Sequence, residues 1–340
     1  ISSTPEIITR PFLTAARFIY TYGVILVSMC LYSRIGTNPR YLPNRKNGGF
    51  VPEAPDERVK AVPFGCGKCI ECRQKKAREW QVRLHEELKD DARALFMTMT
   101  FNDESLDKLE KECKTEEPNE IAARAIKLFG KRWIKKYKES IKHWLVTELG
   151  HGKRAEFHKS TERLHLHGFL WTTKSASEIE ETWGYGWVDT GEYVNDKSVG
   201  YCVKYVSKVD AAHPGFTSKV FASKGLGKGW LNRYDARLNK FQGENTREYY
   251  KAPSGQKLAM PTYFRNKLWT DEEREQLWLQ KLNKQTRYVR GEKIDVSTME
   301  GEREYDQALK YRQDENVALG YPAEPWNLKK YKKSRKKFGL

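Results

Sequence analysis

The chain has 340 residues and a formal net charge of +17, from 62 Lys and Arg against 45 Asp and Glu. Hydrophobic residues make up 39% of it, which excludes a chain that is disordered throughout. So large an excess of positive charge indicates a polyanionic partner; a basic surface kept only for solubility is the alternative. The 10 Trp and 18 Tyr add flat rings on which unpaired bases can stack, so single-stranded nucleic acid is the expected ligand.

The first 28 residues precede the first methionine, Met29, and include a fairly apolar stretch over 12–28. A signal peptide or membrane anchor would explain this stretch, but Arg17 interrupts it and no small-residue cleavage site stands out. We therefore interpret 1–28 as an upstream extension, place the translation start at Met29, and expect no membrane association.

Hydrophobic periodicity predicts a regular series of elements after the loop-like segment 31–62. The predicted elements are a helix over about 73–89, a strand over 95–101, a helix over 119–137, strands over 143–149 and 164–171, a short helix over 175–183, a strand over 186–189 and a helix over 197–209. From strand 95–101 to strand 186–189 the order is β-α-β-β-α-β. It predicts an α+β fold: a ferredoxin-like or RRM-like antiparallel sheet with helices on one face, plus helical and irregular extensions. The uncovered face would be free to bind a ligand.

Three cysteines, Cys66, Cys69 and Cys72, follow a C-x2-C-x2-C pattern. This crowding indicates metal binding in a reducing compartment rather than a disulfide framework. A ferredoxin-type cluster would continue with a cysteine where Lys76 stands, so an iron–sulfur site is not expected. With Cys30 as a fourth ligand, the three thiolates would suit structural zinc. The alternative is three free thiols that order a turn.

Two histidines, His165 and His167, lie two residues apart in the predicted strand 164–171. Alternate residues of a strand point to the same face, so both imidazoles would emerge together while Leu164, Leu166 and Leu170 enter the core. Two nitrogens on a rigid strand suit a divalent metal. However, His-x-His pairs are common and most bind nothing.

Glu148, near the end of the preceding predicted strand, is a candidate third ligand. If strands 143–149 and 164–171 pair as a hairpin, Glu148 points to the same face as both histidines. Two histidines and one carboxylate leave coordination positions open for a phosphate oxygen. The alternative is that Glu148 is a solvated carboxylate at a strand end.

The predicted helix 197–209 repeats the pattern Tyr-x-x-Lys at an offset of four residues. Tyr201, Lys204, Tyr205 and Lys208 therefore share one helical face. A separate apolar stripe contains Val199, Cys202, Val203, Val206 and Val209. Ordinary surface tyrosines and lysines are the alternative, but the doubled pattern favours a functional face.

A phenol is a weak nucleophile at neutral pH because its pKa is about 10. Attack on a phosphodiester becomes feasible if a metal polarises the phosphate and cations stabilise the developing charge. The resulting phosphotyrosine stores the bond energy, so the strand can be rejoined without ATP. Two tyrosines on one face can alternate in this role, and a lysine one turn along can neutralise phosphate or assist proton transfer.

In their order along the chain, these motifs resemble the HUH endonuclease superfamily, and within it the replication initiators of microviruses, especially the gokushovirus-like branch. The resemblance covers roughly 29–270. Its segments are Phe96-Met97-Thr98-Met99-Thr100, Glu148-Leu149-Gly150, Arg163-Leu164-His165-Leu166-His167 and Tyr201 to Lys208, together with Cys66 to Arg73 and Arg78-Glu79-Trp80.

The resemblance implies that Glu148, His165 and His167 hold Mg²⁺ or Mn²⁺, and that Tyr201 and Tyr205 are the nucleophiles. The implied activity is nicking and rejoining of single-stranded DNA at a phage origin for rolling-circle replication. It would leave a 5′-phosphotyrosine and a free 3′-OH. The implied partners are the origin DNA, a host helicase and a host DNA polymerase, in the cytoplasm of a bacterial host.

Other functions remain open alternatives. An HUH transposase or plasmid relaxase is one, although transposases of this type usually carry a single tyrosine. A non-catalytic single-stranded nucleic-acid-binding protein is another; it would explain the charge, aromatics and cysteines but not the ordered metal and tyrosine motifs.

The sequence divides the chain into five parts: 1–28 as the extension, 29–92 as a Cys-rich segment and helix, 93–215 as the HUH core, 216–290 as a C-terminal extension of the core, and 291–340 as a basic, partly disordered tail. The basic loop 223–229 lacks the P-loop pattern. Lys224 and Lys228 in that loop, together with Arg163, are candidate DNA contacts.

Overall fold

The computed structural model describes residues 30–150, 163–191, 194–213 and 215–340. The strands are β1 Arg34–Thr37, β2 Ala61–Phe64, β3 Ala94–Thr100, β4 Lys142–Leu149, β5 Leu164–Trp171, β6 Val188–Gly191, β7 Val220–Ala222, β8 Tyr249–Lys251, β9 Lys257–Ala259, β10 Thr286–Val289 and β11 Glu292–Asp295. The α-helices are α1 Ile70–Asp90, α2 Asp103–Cys113, α3 Pro118–Tyr137, α4 Ala176–Trp183, α5 Asp196–Ser207, α6 Tyr234–Arg237, α7 Thr262–Leu268, α8 Asp271–Asn283, α9 Met299–Ala318 and α10 Leu328–Lys337. Short 3-10 helices cover Pro39–Tyr41, Arg45–Asn47, Glu57–Lys60, Lys228–Asn232 and Gly243–Asn245. The predicted α+β class is confirmed.

A five-stranded antiparallel sheet with the order β6-β3-β5-β4-β7 positions the candidate site. Its central strand, β5, pairs with β3 on one side and with β4 on the other. The predicted hairpin pairing is confirmed, and Glu148 lies opposite His165 in its register. A Cβ atom on Gly168 would lie 2.0 Å from the backbone oxygen of Trp144, so glycine is needed for β4 to run this close to β5.

One face of this sheet packs against α2, α3 and α4. The core on this face contains Leu164, Leu166 and Leu170 of β5, as predicted, together with Trp133 of α3 and Trp183 of α4. Helix α2, which the sequence analysis missed, begins after Asn102, whose side chain caps it by accepting a hydrogen bond from the backbone of Ser105 (2.8 Å).

The other face of the sheet is covered as well, so the prediction of helices on one face only is wrong. A second core on this side joins Trp144 and Phe169 of the sheet to α1 and α5. Both helices have an apolar stripe, which has to be buried, and the second face of the sheet supplies the surface. Helix α5 ends at Ser207, and of its predicted stripe Val209 lies beyond that end, only partly buried.

Residues 291–340 differ from the prediction of a partly disordered basic tail. They form β11, α9 and α10, and Tyr305, Leu309 and Tyr331 are buried. The positive charge of α10 is balanced locally, because Nζ of Lys332 lies 3.0 Å from a carboxylate oxygen of Glu302 on α9. Composition alone did not reveal these tertiary contacts.

None of the helices in the described ranges has the length and apolar character needed to cross a membrane. The predicted extension 1–28 lies outside the described residues.

Candidate functional site

The three predicted metal ligands share one region of the sheet. Oε2 of Glu148 lies 2.9 Å from Nε2 of His167, and the rings of His165 and His167 are nearly parallel, with centroids 6.3 Å apart. This arrangement follows from the antiparallel pairing of β4 and β5, in which Glu148 lies opposite His165 and Val146 opposite His167. Glu148 and His167 are thus in direct contact, and His165 lies beside them.

The environment of these groups favours an ionised carboxylate and neutral imidazoles. Burial alone would raise the pKa of Glu148, but hydrogen bonds with His167 and Lys208 outweigh it and hold that pKa below its ordinary value. Burial and the neighbouring charge of His167 lower the pKa of His165. A neutral imidazole has a lone pair to offer a metal, so these pKa shifts suit a ligand set.

The geometry fits a divalent ion in part. Adjacent ligands of an octahedral Mg²⁺ with bonds of about 2.1 Å lie about 3 Å apart, and the contact between Glu148 and His167 has this length. Among the described residues, the group of His, Cys, Asp and Glu whose ligand atoms all lie within 4.8 Å of one another is the four cysteines, not this triad. His165 therefore has to rotate toward Glu148 to become a third ligand.

Thr98 on β3 orients His167 and was missed by the sequence analysis. Its Oγ1 lies 3.1 Å from Nδ1 of His167, which is its partner in the register of β3 and β5. If Nε2 faces a metal, Nδ1 carries the proton and donates it to this hydroxyl, which fixes both the tautomer and the ring plane. The alternation of threonines in strand 95–101 was the available signal.

Helix α5 holds both predicted nucleophiles beside His167. The ring of Tyr205 stacks on the imidazole, with centroids 5.0 Å apart and planes 9° apart. The hydroxyl of Tyr205 donates a hydrogen bond to the hydroxyl oxygen of Tyr201 at 2.5 Å. The helix therefore brings the tyrosine motif and the histidine motif into one cluster.

The two tyrosines are not equivalent, although the sequence pattern treats them alike. Tyr201 is 47% exposed, whereas Tyr205 is only 7% exposed. Burial and the hydrogen bond to Tyr201 raise the pKa of Tyr205. Tyr201 also lines an open groove of about 360 Å³ with four further residues, namely Phe96, Thr98, Lys197 and Ser198. Tyr201 is therefore the phenol that a strand in the groove can reach.

The two predicted lysines of α5 differ in position. Nζ of Lys208 lies 3.1 Å from Oε1 of Glu148 and 5.5 Å from the ring centroid of Tyr205. Lys204 is exposed, and no hydrogen bond or ion pair of its side chain with these groups is found within the described ranges. The structure thus brings Lys208, but not Lys204, into the cluster.

The predicted DNA-contacting residues lie apart from one another. Arg163 directly precedes β5 and pairs with Asp103 at 2.6 Å. Lys224 and Lys228 are exposed and follow β7, near the end of β4 that contains His143. That end is five residues from Glu148, or about 17 Å along the strand. These two lysines are therefore outside the cluster.

One exposed aromatic residue near the site received no role from the sequence analysis. Trp187 is 59% exposed, and its backbone pairs with that of Thr100 through a bond of 2.9 Å from the Thr100 amide. Thr100 in turn pairs with His165. A backbone row across the sheet therefore runs from Trp187 through Thr100 and His165 to Glu148.

The predicted cysteine ligands form a second cluster, away from the histidines. The sulfurs of Cys30, Cys66, Cys69 and Cys72 all lie within 4.8 Å of one another. Cys202 lies in the core between α5 and the sheet, as predicted.

Comparison with known proteins agrees with this location of the site. Residues 94–210 match the family model of the replication-associated protein ORF2. "Replication-associated protein VP4" of Bdellovibrio phage phiMH2K is 24% identical over 250 residues, which cover 66% of this chain and 72% of the relative. No solved structure matches the chain. The matched range contains Glu148, both histidines and both tyrosines, so the cluster lies in the part of the chain that is similar to replication-associated proteins.

Proposed function

We propose that this protein initiates rolling-circle replication of phage DNA by nicking and rejoining single-stranded DNA through a tyrosine, in a metal-dependent reaction. The observation that carries this proposal is the position of Tyr201 and Tyr205 beside the contact between His167 and Glu148. The similarity of residues 94–210 to replication-associated proteins supports the biological role. The net charge of +17 supports a nucleic-acid substrate.

Glu148, His165 and His167 would hold Mg²⁺ or Mn²⁺, which when bound polarises the scissile phosphate. The phenol oxygen of Tyr201 forms a bond to phosphorus while the bond from phosphorus to the 3′ oxygen breaks. The exposed phenol loses its proton to solvent, and the 3′ oxygen takes up a proton. The products are a 5′-phosphotyrosine and a free 3′-OH.

Tyr205 supports this step as a hydrogen-bond donor. Its hydroxyl donates to the oxygen of Tyr201 and so stabilises negative charge there as the proton leaves. To act as the second nucleophile, Tyr205 has to leave its stack on His167, because that stack keeps it buried. Lys208 would neutralise charge near Glu148 and the bound phosphate.

We further infer that the sheet is a ferredoxin-like core of the HUH type. Four of its strands, in the order β6-β3-β5-β4, come from the β-α-β-β-α-β part of the chain, and α5 with its tyrosines follows. The proposal includes origin DNA, a host helicase and a host polymerase as partners in the cytoplasm of a bacterial host. These partners rest on the family resemblance.

The direct test is incubation of the full chain with labelled single-stranded origin DNA and Mn²⁺, followed by a denaturing gel. We expect a covalent protein–DNA band that requires the metal. Binding without chelator-sensitive cleavage on cognate DNA would instead indicate a non-catalytic single-strand-binding protein.

Replacing Thr98 with valine should weaken metal binding. Valine keeps the shape of the side chain but removes the hydroxyl next to Nδ1 of His167. Loss of such an orienting contact costs roughly 10- to 100-fold in metal affinity, so the Mn²⁺ concentration for half-maximal cleavage should rise about 10-fold or more. A Thr115→Val control, in the connection between α2 and α3, should behave as wild type. An unchanged Mn²⁺ requirement for Thr98→Val would show that this hydroxyl does not orient a ligand.

Replacing Trp187 with alanine should weaken binding of single-stranded DNA in chelator. Stacking of a base on an aromatic ring contributes about 1–3 kcal/mol, which corresponds to roughly 5- to 150-fold in affinity. Trp187→Phe should retain most of the affinity because it retains a stacking face. Tyr311→Ala is the matched control, since Tyr311 is similarly exposed but lies on α9. Fluorescence anisotropy would measure all four proteins, and equal affinities would remove Trp187 from the DNA-binding surface.

A further inference from the structure

Four cysteines from two distant parts of the chain meet at the start of α1. Their sulfurs all lie within 4.8 Å of one another, and the Cys30 and Cys69 sulfurs are 4.0 Å apart. The ligands of a tetrahedral zinc ion with Zn–S bonds of about 2.3 Å lie about 3.8 Å apart. All four are free thiols. The spacing therefore suits one ion held by four sulfurs.

The backbone around the cluster is arranged to stabilise thiolates. Amides of Tyr32 and Cys66 donate to the sulfur of Cys30 at 3.3 and 3.1 Å. Amides of Lys68 and Cys69 donate to the sulfur of Cys66 at 3.4 and 3.3 Å. Gly67, with φ 77°, makes the turn that directs these last two amides inward. A centre with four thiolates carries excess negative charge, and these donors and the N-terminus of α1 offset it.

The cluster joins the N-terminal segment to the C-terminal part of the chain. Cys30, Cys66 and Cys72 pack against a core in which Leu31 and Ile70 meet Tyr305 and Leu309 of α9. The buried side chain of Asn316, also on α9, accepts a hydrogen bond from the amide of Ile70 at 2.9 Å. The first turn of α1 is therefore held from both ends of the described chain.

The same turn contacts the end of the tyrosine helix. Arg73, which is buried, donates from Nη1 to the carbonyl oxygen of Lys208 at 3.2 Å and from Nη2 to Thr217 at 2.8 Å. The hydroxyl of Tyr321 donates to the carbonyl oxygen of Ser207 at 2.8 Å. Since Lys208 also pairs with Glu148, the cysteine cluster is connected to the candidate active site by two residues, Arg73 and Lys208.

We propose that Cys30, Cys66, Cys69 and Cys72 bind one structural Zn²⁺, and that this ion holds the first turn of α1 in the position from which Arg73 fixes the end of α5. Four sulfur ligands leave no open coordination position, so the ion has no direct part in DNA cleavage. The site is separate from the one formed by Glu148 and the histidines.

The test is the metal content of full-length protein purified under reducing conditions, measured by mass spectrometry of metals. We expect about one zinc per chain in wild type, in Cys113→Ser, and in a His165→Ala/His167→Ala variant. Cys30→Ser and Cys72→Ser should each lose it. Metal-free folded wild type, or zinc that is lost with the histidines and kept in the cysteine variants, would overturn the proposal.

Two measurements on wild type avoid variants that fail to fold. Replacement of the metal by Co²⁺ should give the strong absorption of tetrahedral cobalt with thiolate ligands, and a spectrum without thiolate bands would contradict the ligand set. After zinc removal, amide hydrogen exchange should become at least tenfold faster in the first turn of α1 and the last turn of α5, but not in β5. Equal exchange with and without zinc would refute the connection to α5. Neither measurement depends on DNA cleavage, so failure of this proposal is distinguishable from failure of the proposed function.

Discussion

Tyr201→Phe is expected to abolish the covalent adduct with single-stranded DNA, with a fall in the rate of the first cut of at least about 10³-fold. Tyr201 is the exposed phenol, it lines the groove, and it accepts the hydrogen bond of Tyr205. Phenylalanine keeps the ring against Phe96 but removes the attacking oxygen. A denaturing gel of a labelled linear origin oligonucleotide with Mn²⁺ measures the effect.

Tyr205→Phe is the matched variant, because it removes the same atom from the same helix. It should retain the first cut within about tenfold, since a hydrogen bond to the nucleophile contributes about 1 kcal/mol. It should lose strand transfer in an assay with two oligonucleotides, where a second nucleophile is required. If Tyr205→Phe abolished the first cut while Tyr201→Phe retained it, the assignment from exposure would be reversed.

The contacts within the cluster could be predicted only where they depend on local patterns. The period of two in strand 164–171 placed the histidines together, and the period of 3.6 in α5 grouped Tyr201 with Tyr205. The hairpin brought Glu148 opposite His165, because two consecutive strands commonly pair. These steps needed no knowledge of the rest of the chain.

The remaining features depend on packing between distant segments. Thr98 faces His167 only because of the register between two strands that are 69 residues apart in sequence. The burial of Tyr205 results from α1 and α5 covering the second face of the sheet, and an apolar stripe does not specify which face it will cover. Likewise, α10 is mostly basic, and its order comes from acidic partners on α9 that composition does not reveal.

Glu148→Gln is expected to reduce metal-dependent cleavage by at least about 100-fold while single-stranded DNA binding in chelator stays equal or becomes slightly tighter. The amide has nearly the same shape, and its oxygen can still accept a hydrogen bond from Lys208. However, a neutral oxygen is a much weaker ligand for Mg²⁺ or Mn²⁺ than a carboxylate. Loss of one negative charge close to the phosphate favours binding if it has any effect.

The readout specific to a ligand is partial recovery at high Mn²⁺, because a weakened site fills when the metal concentration rises. A purely structural role for Glu148 would give no such recovery and would lower thermal stability instead, since its contacts with His167 and Lys208 would be disturbed. Glu181→Gln, on the exposed side of α4 behind the opposite face of the sheet, is the matched control and should cleave as wild type. Full activity of Glu148→Gln at low Mn²⁺ would exclude the carboxylate as a ligand. The contact between Glu148 and His167 would then have to be interpreted as an ion pair that positions the imidazole beneath Tyr205.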